Sequence, residues 1–409
     1  MSDDIDHIES QNKGLQVQTS NQRALLAELE SLMNTINIPE ADLAVLATEP
    51  FDSEAHIKRL ERSAVSLYKA ILSTRDSAMG GEMAAANDRI DDYARYSSNF
   101  GKRLLDYLSA AFKAEADHAV SDFVRLPEKM ALAPHEHLEQ ALGEFCGLML
   151  FVKEIEDQRY NQIAASYLAT SSDLYRKEIG DLFNHARTLI RKPTDDELEA
   201  SFAPTASASP ALRPGTIKRP GGRPAAERRR ADDGPSSGEV LRRALDQIGP
   251  HVYREQQWLT DLLHLDLDSG ITFAEYCDLE TVFKRGAATQ LQMQVGRFKD
   301  VRASMELVFG FLAQQLGDLV AYILQRDQLQ VFGILVALDA CADAAIGAGN
   351  DFVARVVGRQ RQRCLVAVDK TTADQIKAIE QTKLSVKKRK GIAPFINVFP
   401  VRPTLWRCG

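Results

Sequence analysis

Asn21-Gln22-Arg23-Ala24-Leu25-Leu26-Ala27-Glu28-Leu29-Glu30-Ser31-Leu32-Met33-Asn34-Thr35-Ile36 decides the fold class. Leu25, Leu29, Leu32 and Ile36 step by four, three and four residues, the spacing of one helix face and of a coiled-coil seam. Upstream, the same steps pass through Gln22, Gln18, Leu15, Gln11 and Ile8, so the pattern runs for about four heptads. Its C-terminal half is apolar, its N-terminal half is glutamine-rich, and Gly14 is a weak point. Burying each of Leu25, Leu29, Leu32 and Ile36 contributes roughly 1.5–3 kcal/mol. Glutamines at seam positions cost stability and can fix register or partner choice. The stripe is either the seam of a coiled coil or a face folded back on its own chain, and both need a covering helix.

Working outward, Ile38-Pro39-Glu40 breaks the pattern, because proline disfavours helix in the residue before it, and Glu49-Pro50-Phe51-Asp52 marks the next boundary. Ile57, Leu60, Ala64, Leu67 and Ile71 then repeat the helical spacing. So do Phe100, Leu104, Leu108 and Phe112, and Leu138, Leu142, Phe145, Met149 and Val152. A loop bracketed by Pro127 and Pro134 separates the last two groups. Residues 1–195 therefore read as long helices with narrow apolar faces, suited to an elongated rod.

Six of the fifteen prolines fall within 201–238, among Ala, Ser, Gly and Arg228-Arg229-Arg230. No apolar period survives there, which predicts a flexible linker. Beyond it, Leu241, Ala244, Leu245 and Ile248 restore the helical period, followed by Trp258, Leu262 and Leu263. Met305, Val308, Phe309, Leu312, Leu316, Leu319 and Ile323 form the richest apolar series. Gly347 to Asn350 punctuate, and an Arg- and Lys-rich helix is expected from about Asp351 to Val386. The expected fold is all-α: a coiled-coil helix over 1–48, long helices over 49–198, a disordered Pro/Arg-rich linker over 199–238, a stacked helical bundle over 239–392, and an apolar cap with an aberrant tail over 393–409.

Composition agrees. Hydrophobic residues make up 44% and charged residues 26% of the 409, too apolar for a disordered chain, and aromatics are sparse at 7%. Residues 1–200 carry 21 basic and 35 acidic side chains; residues 201–409 carry 29 and 22. The second part, at +7, suits an acidic partner. The acidic start lacks the features of a secretory signal. No uncharged apolar run reaches the roughly 20 residues of a bilayer span, and Val331 to Leu338 reads as core. Five scattered cysteines, Cys146, Cys277, Cys341, Cys364 and Cys408, suit reduced thiols in a cytosolic protein.

The search for chemistry returns no phosphate loop, dinucleotide fingerprint, zinc-protease helix or nucleophile elbow. No pair of cysteines has zinc-ribbon spacing, so no metal or cofactor is expected. His135-Glu136-His137 looks like a metal cluster, but residues two apart diverge on a helix, which favours a helix start or loop. Asp266-x-Asp268-Ser269-Gly270 opens like a calcium loop, yet its Gly and Glu275 fall at the wrong positions, which favours a turn plus a helix cap. The basic helix end Lys383, Lys387, Lys388, Arg389 and Lys390, closed by Gly391, has three readings: a macrodipole-stabilised helix terminus, a contact for anionic lipid or an acidic protein, or a nuclear localisation signal.

Several ordered blocks carry a family resemblance. They are Ile8 to Gln22, Met305-Glu306-Leu307-Val308-Phe309-Gly310-Phe311-Leu312, Leu329-Gln330-Val331-Phe332-Gly333-Ile334-Leu335, Lys387-Lys388-Arg389-Lys390-Gly391-Ile392, and Phe395 to Pro400. Together they resemble the Sec-three family of the exocyst, called exocyst component one in animals, over most of residues 5–400. The resemblance implies a non-catalytic vesicle-tethering subunit, cytoplasmic and peripheral at exocytic sites of the plasma membrane. Its helices would bundle with other exocyst subunits, with Leu15, Leu25, Leu29, Leu32 and Ile36 as the seam, and no nucleic acid would be bound. The family's lipid- and Rho-GTPase-binding module finds no counterpart before Ser10, and the chain stops where the family continues, so an incomplete gene product is expected. The alternative is a helical protein that binds anionic phospholipid on its own through the polybasic helix end.

Overall fold

The computed structural model of the chain describes residues 12–27, 30, 37–78, 84–126, 130–190, 235–265, 271–278 and 298–380. Every regular element among them is helical. α1 covers 12–27. It is followed by α2 (Glu40–Thr48), α3 (Glu54–Ala78), α4 (Ala84–Arg125), α5 (Glu136–Gly143), α6 (Cys146–Ile155) and α7 (Asp157–Leu189). Then come α8 (Ser237–Leu262), α9 (Phe273–Asp278), α10 (Phe298–Phe309), α11 (Leu312–Arg326), α12 (Val331–Gly347) and α13 (Asp351–Glu380). The described residues form two units. The first comprises Met1–Glu115, Glu136–Tyr167 and Trp258–Phe298; the second comprises Ala116–His135, Leu168–Gln257 and Lys299–Gly409.

In the first unit, α2 and α9 pack on α3, and α3 and α9 pack on α6. Every residue of α6 from Cys146 to Val152 is buried, as expected of a helix apolar on all sides. The three- and four-residue steps seen in the sequence become the inner faces of its neighbours: Leu60, Ala64 and Leu67 on α3, and Phe100, Leu104 and Leu108 on α4. Aromatic edges interlock at the centre, with Phe151 meeting Phe100 at 5.7 Å and Phe273 at 5.4 Å. Arg103 of α4 serves the end of α2, donating to the carbonyls of Leu46 and Glu49 while lying over the Phe51 ring. Those carbonyls lack helical partners of their own, so a distant side chain supplies them.

The end of α8 in this unit is held in the same manner. Tyr160 donates its hydroxyl to the Leu263 carbonyl at 2.7 Å, and Lys153 donates to the His264 carbonyl at 2.6 Å. His264 itself has φ 48, and its Nε2 lies 2.6 Å from the Cys146 carbonyl, to which it donates. Burial pushes this imidazole down to about 4 from an ordinary 6.5. The unfolded chain therefore takes up a proton below pH 6.5 that the folded chain refuses. Stability is retained above that pH and falls as the pH drops toward about 4. The loss attributable to His264 approaches ~3 kcal/mol. Thermal melts from neutral to mildly acidic pH should show a shallower decline for His264→Gln than for the parent, and parallel declines would contradict this.

In the second unit, Met305, Val308, Phe309, Leu312, Leu316, Leu319 and Ile323 are all buried. The series spans two helices rather than one, since α10 and α11 are bent by 47° at Gly310-Phe311. At Gly310 a Cβ would lie 2.5 Å from the Glu306 carbonyl oxygen, so glycine permits the break. Phe309 stacks with Tyr175 of α7 at 4.6 Å and Phe352 of α13 at 6.0 Å. Gly238, at the start of α8, meets the backbone of Gly333 on α12 so closely that a Cβ there would lie 2.8 Å from it. α12 and α13 form a hairpin through Gly349, with φ 70. The Asn350 amide bonds Ala345 O at 2.8 Å and the Gly349 amide bonds Ile346 O at 3.1 Å, a Schellman closure. Asn350 Oδ1 then accepts from Val353 N at 3.1 Å to start α13.

The segment Gln328–Gly347 has 20 residues and a mean hydropathy of 1.8, long and apolar enough to cross a bilayer by length and composition. The uncharged run read from the sequence is shorter because Asp339 and Asp343 interrupt it, and Asp339 pairs with Arg361 of α13. Burial pushes the thiols of Cys341 and Cys364 up to about 11, which makes them poor nucleophiles.

Candidate interaction surfaces

α1 has no covered face. All of its residues are exposed, including Leu15 at 60%, Leu25 at 57% and Leu26 at 58%. The heptad sets Leu15, Gln18, Gln22 and Leu25 along one side, and Leu26 widens the apolar stripe beyond a two-stranded seam. Among the described residues no helix of this chain lies over Leu15 or Leu25, whereas Leu46 of α2 and Leu60 of α3 are fully enclosed. Leu29, Leu32 and Ile36 lie outside the described residues. So do Lys383, Lys387, Lys388, Arg389 and Lys390, the linker up to residue 234, the turn at Asp268 and the segment 393–409.

His135 and His137 face different partners. His137 meets Glu115 at 2.9 Å near the surface, whereas His135 is buried with Nε2 3.1 Å from Glu178 and Nδ1 3.2 Å from the Tyr175 hydroxyl. Glu275 closes the start of α9. It accepts from Thr272 N at 2.8 Å, and Thr272 Oγ1 receives the Glu275 amide at 3.4 Å, the reciprocal capping box. Those hydrogen bonds from Thr272 hold the Glu275 carboxyl below the usual carboxylate range.

His135 belongs to a larger buried set. Tyr175 donates its hydroxyl to Glu255 at 3.0 Å, which leaves the phenol oxygen as acceptor for His135 Nδ1. The adjacent His251 turns Nδ1 to Gln247 O and Nε2 to Ala133 O, at 2.8 and 3.2 Å. The segment before α5 is thus tied to α7 and α8. Histidine, tyrosine and carboxylate in series resemble a proton relay. Here His135, Tyr175, Glu178 and Glu255 are all at most 5% exposed, so the set has no opening for a substrate and serves to join elements.

The basic character of α13 does not wait for its end. Arg359 and Arg363 are exposed and Arg355 half-buried, one helical turn apart in succession. The four-residue spacing of Arg355, Arg359 and Arg363 is the signal in the sequence that places them on one side of this Arg-rich helix, ahead of the lysines beyond it.

Comparison with known proteins bears on these surfaces. The family description "Exocyst complex component Sec3, coiled-coil" matches residues 1–73, and "Exocyst complex component Sec3, C-terminal" matches residues 262–402. Exocyst complex component 1 of Mus musculus is 22% identical over 98% of this chain and 48% of its own length. The Drosophila melanogaster protein of that name is 20% identical over 97% of this chain and 46% of its own length. Exocyst complex component SEC3A of Arabidopsis thaliana is 23% identical over 47% of this chain. The chain spans about half the length of the mouse and fly relatives. No solved structure matches it.

Proposed function

The chain belongs to the Sec3 family of exocyst components, and from that premise we propose that it is a non-catalytic subunit of a vesicle-tethering assembly that lends α1 to a helical bundle made with other exocyst subunits. Its site of action is the cytoplasmic face of the plasma membrane, where such an assembly docks secretory vesicles. One observation carries the reading: Leu15, Leu25 and Leu26 stand exposed on a helix whose spacing demands a covering partner. Each leucine buried there contributes roughly 1.5–3 kcal/mol to association. The residues that follow, Leu46, Leu60 and Leu67, are already enclosed. The seam and the folded unit can therefore be separated by mutation.

Leu25→Asp, alone or with Leu29→Asp, is expected to abolish recovery of other exocyst subunits with the tagged protein. For Leu25→Asp the melting temperature should stay within about a degree of the parent, since an exposed substitution away from the core changes little. Unchanged recovery would count against the seam. The lipid-binding alternative rests on Lys383, Lys387, Lys388, Arg389 and Lys390. Salt-sensitive sedimentation of the protein with anionic liposomes, lost on neutralising those five, would favour it instead.

A further inference from the structure

We propose that Arg355, Arg359 and Arg363 of α13, with Arg302 of α10 alongside, form a docking stripe for an acidic helix of a partner protein whose carboxylates recur every three or four residues. The surface is separate from the α1 seam and does not depend on it. Along α13 the three arginines succeed one another at four-residue steps, on neighbouring turns of one side. Phe352 of α13 stacks with Phe309 at the end of α10, which carries Arg302. Arg363 lies over α11, where a Cβ on Gly317 would be 3.5 Å from its Nη1, and the neighbouring Gln360 donates to Ala313 O at 2.7 Å. The stripe is thereby mounted on packed helices rather than on a loop.

The charges are crowded and poorly answered. Among the described residues Arg302, Arg359 and Arg363 make no ion pair with a carboxylate, in contrast to Arg361, which faces the other way to Asp339. Arg355 donates to the Asp351 carbonyl at 3.3 Å and lies 5.9 Å from the Phe352 ring. Burial first, and then repulsion from Arg302 and Arg359, holds its guanidinium below the usual range, with Glu306 and Asp351 offsetting part of that. A set of like charges that neighbouring carboxylates offset only in part is relieved further by an anionic partner.

The choice of residue and the surroundings select the partner. The stripe is all arginine, whose planar fork takes carboxylates bidentately in discrete positions, unlike the point charge of lysine. A row of forks one turn apart matches carboxylates at the same spacing on a second helix. A flat anionic membrane is a poorer match, because Asp351, Asp369, Asp374 and Glu380 are exposed along the same helix and would be carried toward it.

The test uses the full chain with Lys387, Lys388, Arg389 and Lys390 neutralised, so that the basic helix end does not compete. Fluorescence anisotropy would measure binding of a synthetic helical peptide with glutamate at every fourth residue, against a peptide of equal composition with scrambled spacing. Vesicles of phosphatidylserine and phosphatidylcholine form the second arm. The spaced peptide should bind better than the scrambled one, and Arg359→Gln with Arg363→Gln should weaken it about tenfold or more, with steep salt dependence. The corresponding lysine variants should recover only part of the binding. Both residues are exposed, so the melting temperature of each variant should match the parent. Equal binding of the two peptides, indifference to the glutamine variants, or loss of vesicle binding in their place would overturn the proposal.

Discussion

Glu178→Ala is expected to destabilise the protein by about 2–4 kcal/mol, from leaving a buried hydrogen-bonding group without its partner and a cavity beside it. Glu178 is 0% exposed and its carboxylate reaches His135 Nε2 through both oxygens, at 3.1 and 3.2 Å. The loss has two parts: a buried ring deprived of its acceptor, and the volume left beside Tyr175. Glu178→Gln separates them, since the amide oxygen can still accept from the ring, and should cost well under half as much. Replacing His135 and Glu178 together by leucines should recover much of the deficit, because replacing both partners of a buried hydrogen bond by apolar groups of similar shape can be nearly neutral. Denaturant unfolding of the three variants provides the comparison. A Glu178→Ala effect below about 1 kcal/mol would mean that water reaches the cluster.

Phe151→Ala should have an effect of similar size, about 3–5 kcal/mol, in the other unit. Phe151 is fully buried on α6 and forms edge contacts with two rings contributed from afar, Phe100 and Phe273. The alanine would leave a cavity between three elements, and α9, with only six residues, would lose one of the two ring contacts of Phe273, keeping that to Tyr68 at 5.6 Å. Phe151→Leu should recover roughly half of the loss because it refills most of the volume. Near-ultraviolet dichroism and melting temperature would register both changes. A loss under about 1 kcal/mol for Phe151→Ala would contradict the assignment of α6 as the central helix.

These two positions also mark where reading the chain alone stops. Periodicity located the faces of α3 and α4 through Leu60, Leu67, Leu104 and Leu108, because each helix sees its neighbours through one stripe. Local chemistry was equally visible. Pro39 opens α2, Gly349-Asn350 closes the α12–α13 hairpin, and Glu275, misplaced for a calcium loop, points to a helix cap. What stayed hidden depends on residues far apart in sequence. Glu178 looks like any solvated carboxylate on an amphipathic helix until His135, forty-three residues away, lies against it. Arg103 reads as a surface charge until it meets the carbonyls of Leu46 and Glu49. Gly238 and Gly333 carry no signal individually, and only their backbone approach explains both.

The candidate sites divide the same way. The α1 stripe is a local periodicity, legible in the spacing of Leu15 and Leu25, and their exposure adds that no described helix of the chain covers them. The arginine stripe depends on α10 and α11 lying beside α13. From the sequence, Arg302 is one charge in a mixed run with Lys299, Asp300 and Glu306, some fifty residues from Arg355.

At the centre of the proposal is a helix whose exposed leucines would become buried among other chains. The most direct measurement is purification of the tagged protein at native abundance, with quantitative identification of what accompanies it. The account predicts other exocyst subunits in near-equal amounts, all released when Leu25 and Leu29 become aspartate. Recovery of the protein by itself, or of the same companions in undiminished amount with both leucines replaced, would contradict it.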